Sequence, residues 1–121
     1  MNFVEECKIC SVHGLNIGER QNHWVVRDAE KEKKIPFYFY IESIIHVESY
    51  RELSAEAWEE FGRIIEKYTQ YIYSKSQPLK IYTVSISEAV PHLHFHLVPR
   101  YIESPKGMEY LSLALSGNLG Q

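Results

Sequence analysis

The sequence predicts a single α+β domain in which one long helix packs against a sheet. Three observations lead there. At 121 residues and 14.2 kDa the chain has the size of one domain and is long enough to bury a core without disulfides. One stretch, residues 54–74, carries apolar side chains at spacings of three and four. Two runs rich in β-branched and aromatic residues precede it and two follow it, an order that fits a helix layered on strands.

In chain order, a turn-rich stretch from Gly14 to Arg20 joins a cysteine-bearing segment to a short strand, His23 to Arg27. Asp28 to Lys34 (Asp-Ala-Glu-Lys-Glu-Lys-Lys) alternates in sign and reads as a solvated hairpin or loop rather than a basic patch. Pro36 to Glu42 is aromatic and β-branched, hence a strand. Ser54 suits an N-cap, and Glu56, Glu59 and Glu60 complement the positive end of the helix it opens. Trp58, Phe61, Ile64, Ile65, Tyr68 and Ile72 form its apolar stripe, which reads as core packing. Gln77-Pro78 ends the helix, Leu79 to Ile86 forms a strand, and a turn at Ser87-Glu88 leads into Val90 to Arg100. Beyond Pro105-Lys106-Gly107 a tail, Tyr110 to Leu115, could pack on the body or on a partner.

A formal charge of -3 with both signs intermixed argues against a nucleic-acid binder, which would show a basic stripe. No run approaches the roughly 18 apolar residues that cross a bilayer. Met1 to Glu6 is acidic and lacks a secretory pattern, so a cytoplasmic location without membrane attachment is expected. In a reducing compartment the two cysteines are not expected to form a structural disulfide.

Their spacing is informative. Cys7-Lys8-Ile9-Cys10 is a C-x-x-C, and nothing around it suggests the βαβ framework and helix start that a redox pair would want. A structural zinc needs four ligands, and histidines would supply the rest from His13, His23, His46, His92, His94 and His96. His46, between the second strand and the helix, is the best third ligand, and His92, at the start of its strand, the fourth. Cys7, Cys10, His46 and His92 would fill every coordination position, leaving zinc a structural role. The competing reading is two free buried thiols beside a polar core histidine.

In Val90-Pro91-His92-Leu93-His94-Phe95-His96-Leu97-Val98-Pro99-Arg100 the histidines alternate with apolar residues. Along a strand that alternation sets the imidazoles on one face and Leu93, Phe95 and Leu97 on the other. A neutral imidazole at mid-row, His94, could attack phosphorus and form a covalent phosphohistidine, with His96 bonding phosphate oxygens or protonating the leaving group. By spacing alone, a metal held by all three strand histidines fits as well.

The run from Val90 to Tyr101 resembles the signature of the histidine-triad (HIT) family, H-φ-H-φ-H-φ-φ, and within it the bacterial V-P-H-L-H-W-H-φ-φ-P-R branch. The strand from Lys80-Ile81 to Ser85-Ile86, the N-terminal C-x-x-C and His46 are similar to zinc-bearing members. The resemblance implies the HIT fold, an antiparallel sheet of about five strands with one long helix in a single domain spanning residues 1–121, assembled as a homodimer. It also implies hydrolysis or transfer of a nucleoside monophosphate from dinucleoside polyphosphates or nucleoside phosphoramidates. His94 is then the nucleophile, His96 lies near the phosphate, and His92 is a metal ligand. Glu88, Val90 and His96 are expected to contact substrate. The chain departs from the branch where Tyr82 replaces an Asn that contacts ribose or phosphate and where Ser87-Glu88 replaces Gly-Asn. The pattern G-H-x-x-φ-P is not visible in Phe37 to Ser43. Glu88 and Tyr82 favour the alternative of a zinc-stabilised nucleotide- or partner-binding protein with little turnover.

Overall fold

A computed structural model describes residue 4 and residues 6–120. The elements are α1 (Lys8–Gly14), β1 (Glu19–Arg20), β2 (Trp24–Asp28), β3 (Phe39–Ser43), α2 (Ala55–Lys75), β4 (Lys80–Val84), β5 (His94–Arg100) and α3 (Gly107–Ser116). The strands form one antiparallel sheet in the order β1-β2-β3-β5-β4. The α+β expectation therefore holds, including its count of about five strands. Among the described residues no helix is long and apolar enough to cross a membrane.

The long helix begins where its cap residue sits: Ser54 accepts a hydrogen bond from the Ala57 amide at 3.2 Å. Its inner stripe packs Ile64, Tyr68 and Ile72 onto Trp24, Val26, Phe39, Ile41, Leu93, Phe95 and Leu97, the main core. Two polar contacts fix its position. Trp24 Nε1 donates to the Ala57 carbonyl at 2.8 Å, and the buried Glu60 carboxylate accepts the amides of Asn22 and His23 at 3.2 and 2.7 Å.

The opposite sheet face is covered at its two ends by short helices. Tyr110, Leu111 and Ala114 of α3 pack on Tyr38, Tyr40 and Val98, so the tail lies on the body. Tyr82 bonds this helix to the sheet, accepting from Arg100 Nε at 3.1 Å and from the Gly107 amide at 2.9 Å. At the other end lies α1, which the sequence did not announce. Its N-cap is Cys7, whose sulfur accepts from the Cys10 amide at 3.4 Å, so the C-x-x-C does sit at a helix start, though not on a βαβ framework.

Candidate functional site

Register places the site. Glu42 pairs with His94, Tyr40 with His96 and Arg27 with Tyr40, so these side chains share the face between α1 and α3. Ile41 and Phe39 pair with Phe95 and Leu97 on the core side. One expectation needs correction. Strand β5 starts at His94, and His92 lies just before it, so alternation along the strand orients His94 and His96 only.

His92 is fully buried and faces a different neighbourhood. The ligand atoms of Cys7, Cys10, His46 and His92 all lie within 4.8 Å of one another, a grouping compatible with one metal ion. His92 Nδ1 is 3.4 Å from Cys7 Sγ, 3.6 Å from Cys10 Sγ and 3.3 Å from His46 Nδ1, and His46 Nδ1 is 3.5 Å from Cys10 Sγ. The other ring nitrogen, Nε2, is 2.7 Å from the Ser43 carbonyl. A carbonyl only accepts, so Nε2 carries the proton and Nδ1 turns its lone pair on the cluster, the orientation a metal ligand needs. Burial pushes the His92 imidazole down to about 4, keeping it neutral. Burial raises the Cys10 thiol, partly opposed by the Val4 amide bonded to its sulfur at 3.4 Å. Neither His94 nor His96 belongs to this group, so the three histidines of the row do not converge on one ion.

His94 is half-buried, and the same carbonyl logic sets its tautomer. Its Nδ1 donates to the main-chain oxygen of His92 at 2.7 Å, leaving the Nε2 lone pair free. Its backbone is held by Ser87, whose hydroxyl accepts from the His94 amide at 3.1 Å, and by Ser85, whose hydroxyl donates to the His94 carbonyl at 2.6 Å. His96 Nδ1 lies 2.7 Å from the Tyr38 hydroxyl, and the His94 and His96 ring centroids are 5.3 Å apart.

Both rings line a cleft of about 140 Å³ that also touches Lys8, Arg27, Glu30, Tyr40, Glu42 and Val90. Glu42, 1% exposed, is its anchor. Arg27 Nε and Nη2 reach the carboxylate at 2.9 Å, and His13 Nε2 donates to it at 2.9 Å. Burial alone would raise the Glu42 carboxyl, but the bonds from His13 and Arg27 outweigh it and hold the group below the usual carboxylate range. The Arg27 guanidinium also lies over the Tyr40 ring, 4.8 Å from its centroid, while the Tyr40 hydroxyl donates to Glu30 at 2.7 Å.

Of the residues expected to contact substrate, Val90 and His96 line this cleft. Glu88 is exposed and lies outside its lining, and Tyr82 braces α3. Sequence reasoning missed Arg27, Glu42, His13, Tyr38 and Glu30. His13 was offered only as a possible metal ligand, Arg27, Tyr38 and Glu42 lay on expected strands without a site role, and Glu30 belonged to the charged run that was expected to be solvated.

No family sequence model matches the chain, and no curated protein sequence does. Solved structures do match. A HIT family protein from Bacillus anthracis aligns over 93% of this chain and 91% of its own, with 16% identity and a TM-score of 0.69. A member of the HIT family from Bacillus subtilis aligns over 97% and 99%, with 18% identity and a TM-score of 0.67. A Hit-like protein involved in cell-cycle regulation from Bartonella henselae, solved with an unknown ligand, aligns over 96% of each chain, with 14% identity and a TM-score of 0.68. At these identities the likeness is one of fold, and it is the fold that the triad motif implied.

Proposed function

We propose that the chain is a HIT family nucleotide hydrolase or nucleotidyl transferase that cleaves a phosphoanhydride or phosphoramidate of a nucleotide, with His94 as nucleophile. The observation supporting this most is the hydrogen bond from His94 Nδ1 to the His92 carbonyl, which leaves Nε2 unprotonated beside the cleft. In this reading Nε2 attacks the substrate phosphorus, and the bond from phosphorus to the leaving oxygen or nitrogen breaks with its electron pair leaving on that atom. Water then attacks the same phosphorus, the P–N bond breaks, and its electron pair returns to Nε2 as nucleoside monophosphate departs. His96 bonds the phosphoryl oxygens and Val90 forms part of the wall. Glu88 would meet only a ligand that extends beyond the cleft. A cytoplasmic homodimer without a nucleic-acid partner completes this reading, and sedimentation equilibrium tests its stoichiometry.

We read the metal of Cys7, Cys10, His46 and His92 as zinc. Bonds of about 2.3 Å to sulfur and about 2.0 Å to nitrogen give a tetrahedron with S···N edges of about 3.5 Å and N···N edges of about 3.3 Å. Three of the S···N separations here are 3.4 to 3.6 Å and the His46–His92 separation is 3.3 Å. Four protein ligands leave no open position, so the ion would cross-link α1, the His46 loop and the entry to β5.

One observation favours a second reading, a metal-stabilised nucleotide- or partner-binding protein with little turnover. The carboxylates of Glu30 and Glu42 line the small cleft beside His94 and oppose a polyphosphate there. Incubation with diadenosine polyphosphates and with an adenosine phosphoramidate separates the two. Hydrolysis should fall at least about a thousandfold in His94→Ala, a barrier change of about 4 kcal/mol. One metal per chain should survive that change and be lost in Cys10→Ser. Binding without turnover supports the second reading, and metal lost with His94 overturns both.

A further inference from the structure

Two of the three histidines in the row are oriented by main-chain carbonyls, and the third by a side chain. Tyr38 is 2% exposed and its hydroxyl lies 2.7 Å from His96 Nδ1. A buried hydroxyl proton has to be accepted by something. The Tyr40 oxygen beside it, which gives its own proton to Glu30 Oε1, is a weak phenolic acceptor, whereas an imidazole lone pair is a strong one and a phenol donates better than a neutral imidazole N–H, so Tyr38 gives its proton to His96 Nδ1. If Nδ1 accepts, the proton of a neutral imidazole is on Nε2. That nitrogen has no partner among the described residues, and the ring lines the cleft beside His94. The ring cannot easily turn over, since Tyr38 and Tyr40 flank it at centroid distances of 5.9 and 5.2 Å.

We propose that Tyr38 is a positioning residue that fixes His96 as the Nε2–H tautomer, a neutral hydrogen-bond donor to a phosphoryl oxygen and not a proton source for the leaving group. The inference rests on reading His94 as the nucleophile. Burial works in the same direction, pushing the Tyr38 phenol up and the His96 imidazole down to about 4. The substrate class narrows as a result. When Nε2 of His94 bonds to phosphorus, the electron pair of the broken bond goes to the leaving atom. A phosphate oxygen is stable with that pair, whereas an amine nitrogen needs a proton that His96 does not supply. Anhydrides are therefore the better substrates, and amidates the poorer.

The test uses Tyr38→Phe, which removes only the hydroxyl. Two-bond ¹H–¹⁵N spectra of the histidine rings at pH 7, with His96→Asn for assignment, read the tautomer directly. The wild-type protein should show His96 protonated on Nε2 alone, and Tyr38→Phe a mixture of tautomers. With diadenosine tetraphosphate, kcat should fall about tenfold in Tyr38→Phe while KM changes less than twofold. Wild-type turnover of an adenosine phosphoramidate should be slower than that of the anhydride. A wild-type His96 protonated on Nδ1 or on both nitrogens, an unchanged tautomer in Tyr38→Phe, or faster cleavage of the amidate overturns the proposal. The expected ring spectra without hydrolysis of any nucleotide would keep the positioning role and remove the nucleotidyl-transfer reading instead. Should Tyr38→Phe fail to fold, the wild-type ring spectrum and the anhydride-to-amidate ratio still decide.

Discussion

The two faces of the sheet are built on opposite plans. Toward α2, β5 presents Phe95 and Leu97 to an aromatic and aliphatic layer in which the Phe61 and Phe95 centroids are 4.5 Å apart. Toward the cleft the same strand presents His94 and His96 to Glu42, Arg27, Tyr38 and Tyr40. Each fully buried Phe or Leu contributes on the order of 1.5–3 kcal/mol. A one-residue slip would bury imidazoles and expose phenyl rings, so the hydrocarbon face sets the register that aims the histidines. Hydrocarbon packing and imidazoles are thus divided along one strand by nothing more than a two-residue period.

The comparison can be broken from either side. Phe95→Ala should cost the most stability, about 3–5 kcal/mol in chemical denaturation, by opening a cavity among Trp24, Trp58 and Phe61. A cost under 1 kcal/mol would mean that the α2 face does not hold the strand. On the other face, Arg27→Ala should cost about 3 kcal/mol because it leaves the buried Glu42 carboxylate with His13 alone. Replacing both partners, Arg27→Met with Glu42→Leu, should recover most of that, and a harmless single change would show that the pair is solvated. The smallest effect concerns pH. An unfolded imidazole takes up its proton near pH 6.5, but burial, then the charges of His94 and Lys33, hold folded His96 down to about 4. Its contribution is complete above about pH 6.5 and is lost as the pH falls toward 4. Between pH 7 and 5 the wild-type protein should lose roughly 1–2 kcal/mol more than His96→Asn. Equal losses would place the ring in water.

How far each part was readable follows from how local its signal is. The α2 boundaries came within a residue because Ser54 caps and the apolar stripe is long. The metal-type cluster was readable since C-x-x-C is a local pattern and histidines at strand ends are few. His13, Arg27 and Glu42 meet only after three elements pack, and no spacing between them carries that. Alternation puts Tyr38, Tyr40 and Glu42 on one face, but Pro36 to Glu42 is apolar enough to look buried on both. Helix α1 escaped notice because its cap is a cysteine, not one of the usual Ser, Thr, Asp or Asn residues.

That helix has seven residues, too few to persist alone. It nevertheless carries Cys10 to the cluster, His13 to Glu42, and Lys8 and Ile9 to the cleft wall. An ion clamped at its first turn would therefore act as a hinge pin for the small chamber beside His94. Starved of that ion, the protein would lose one wall of the chamber while the sheet and α2 stayed standing.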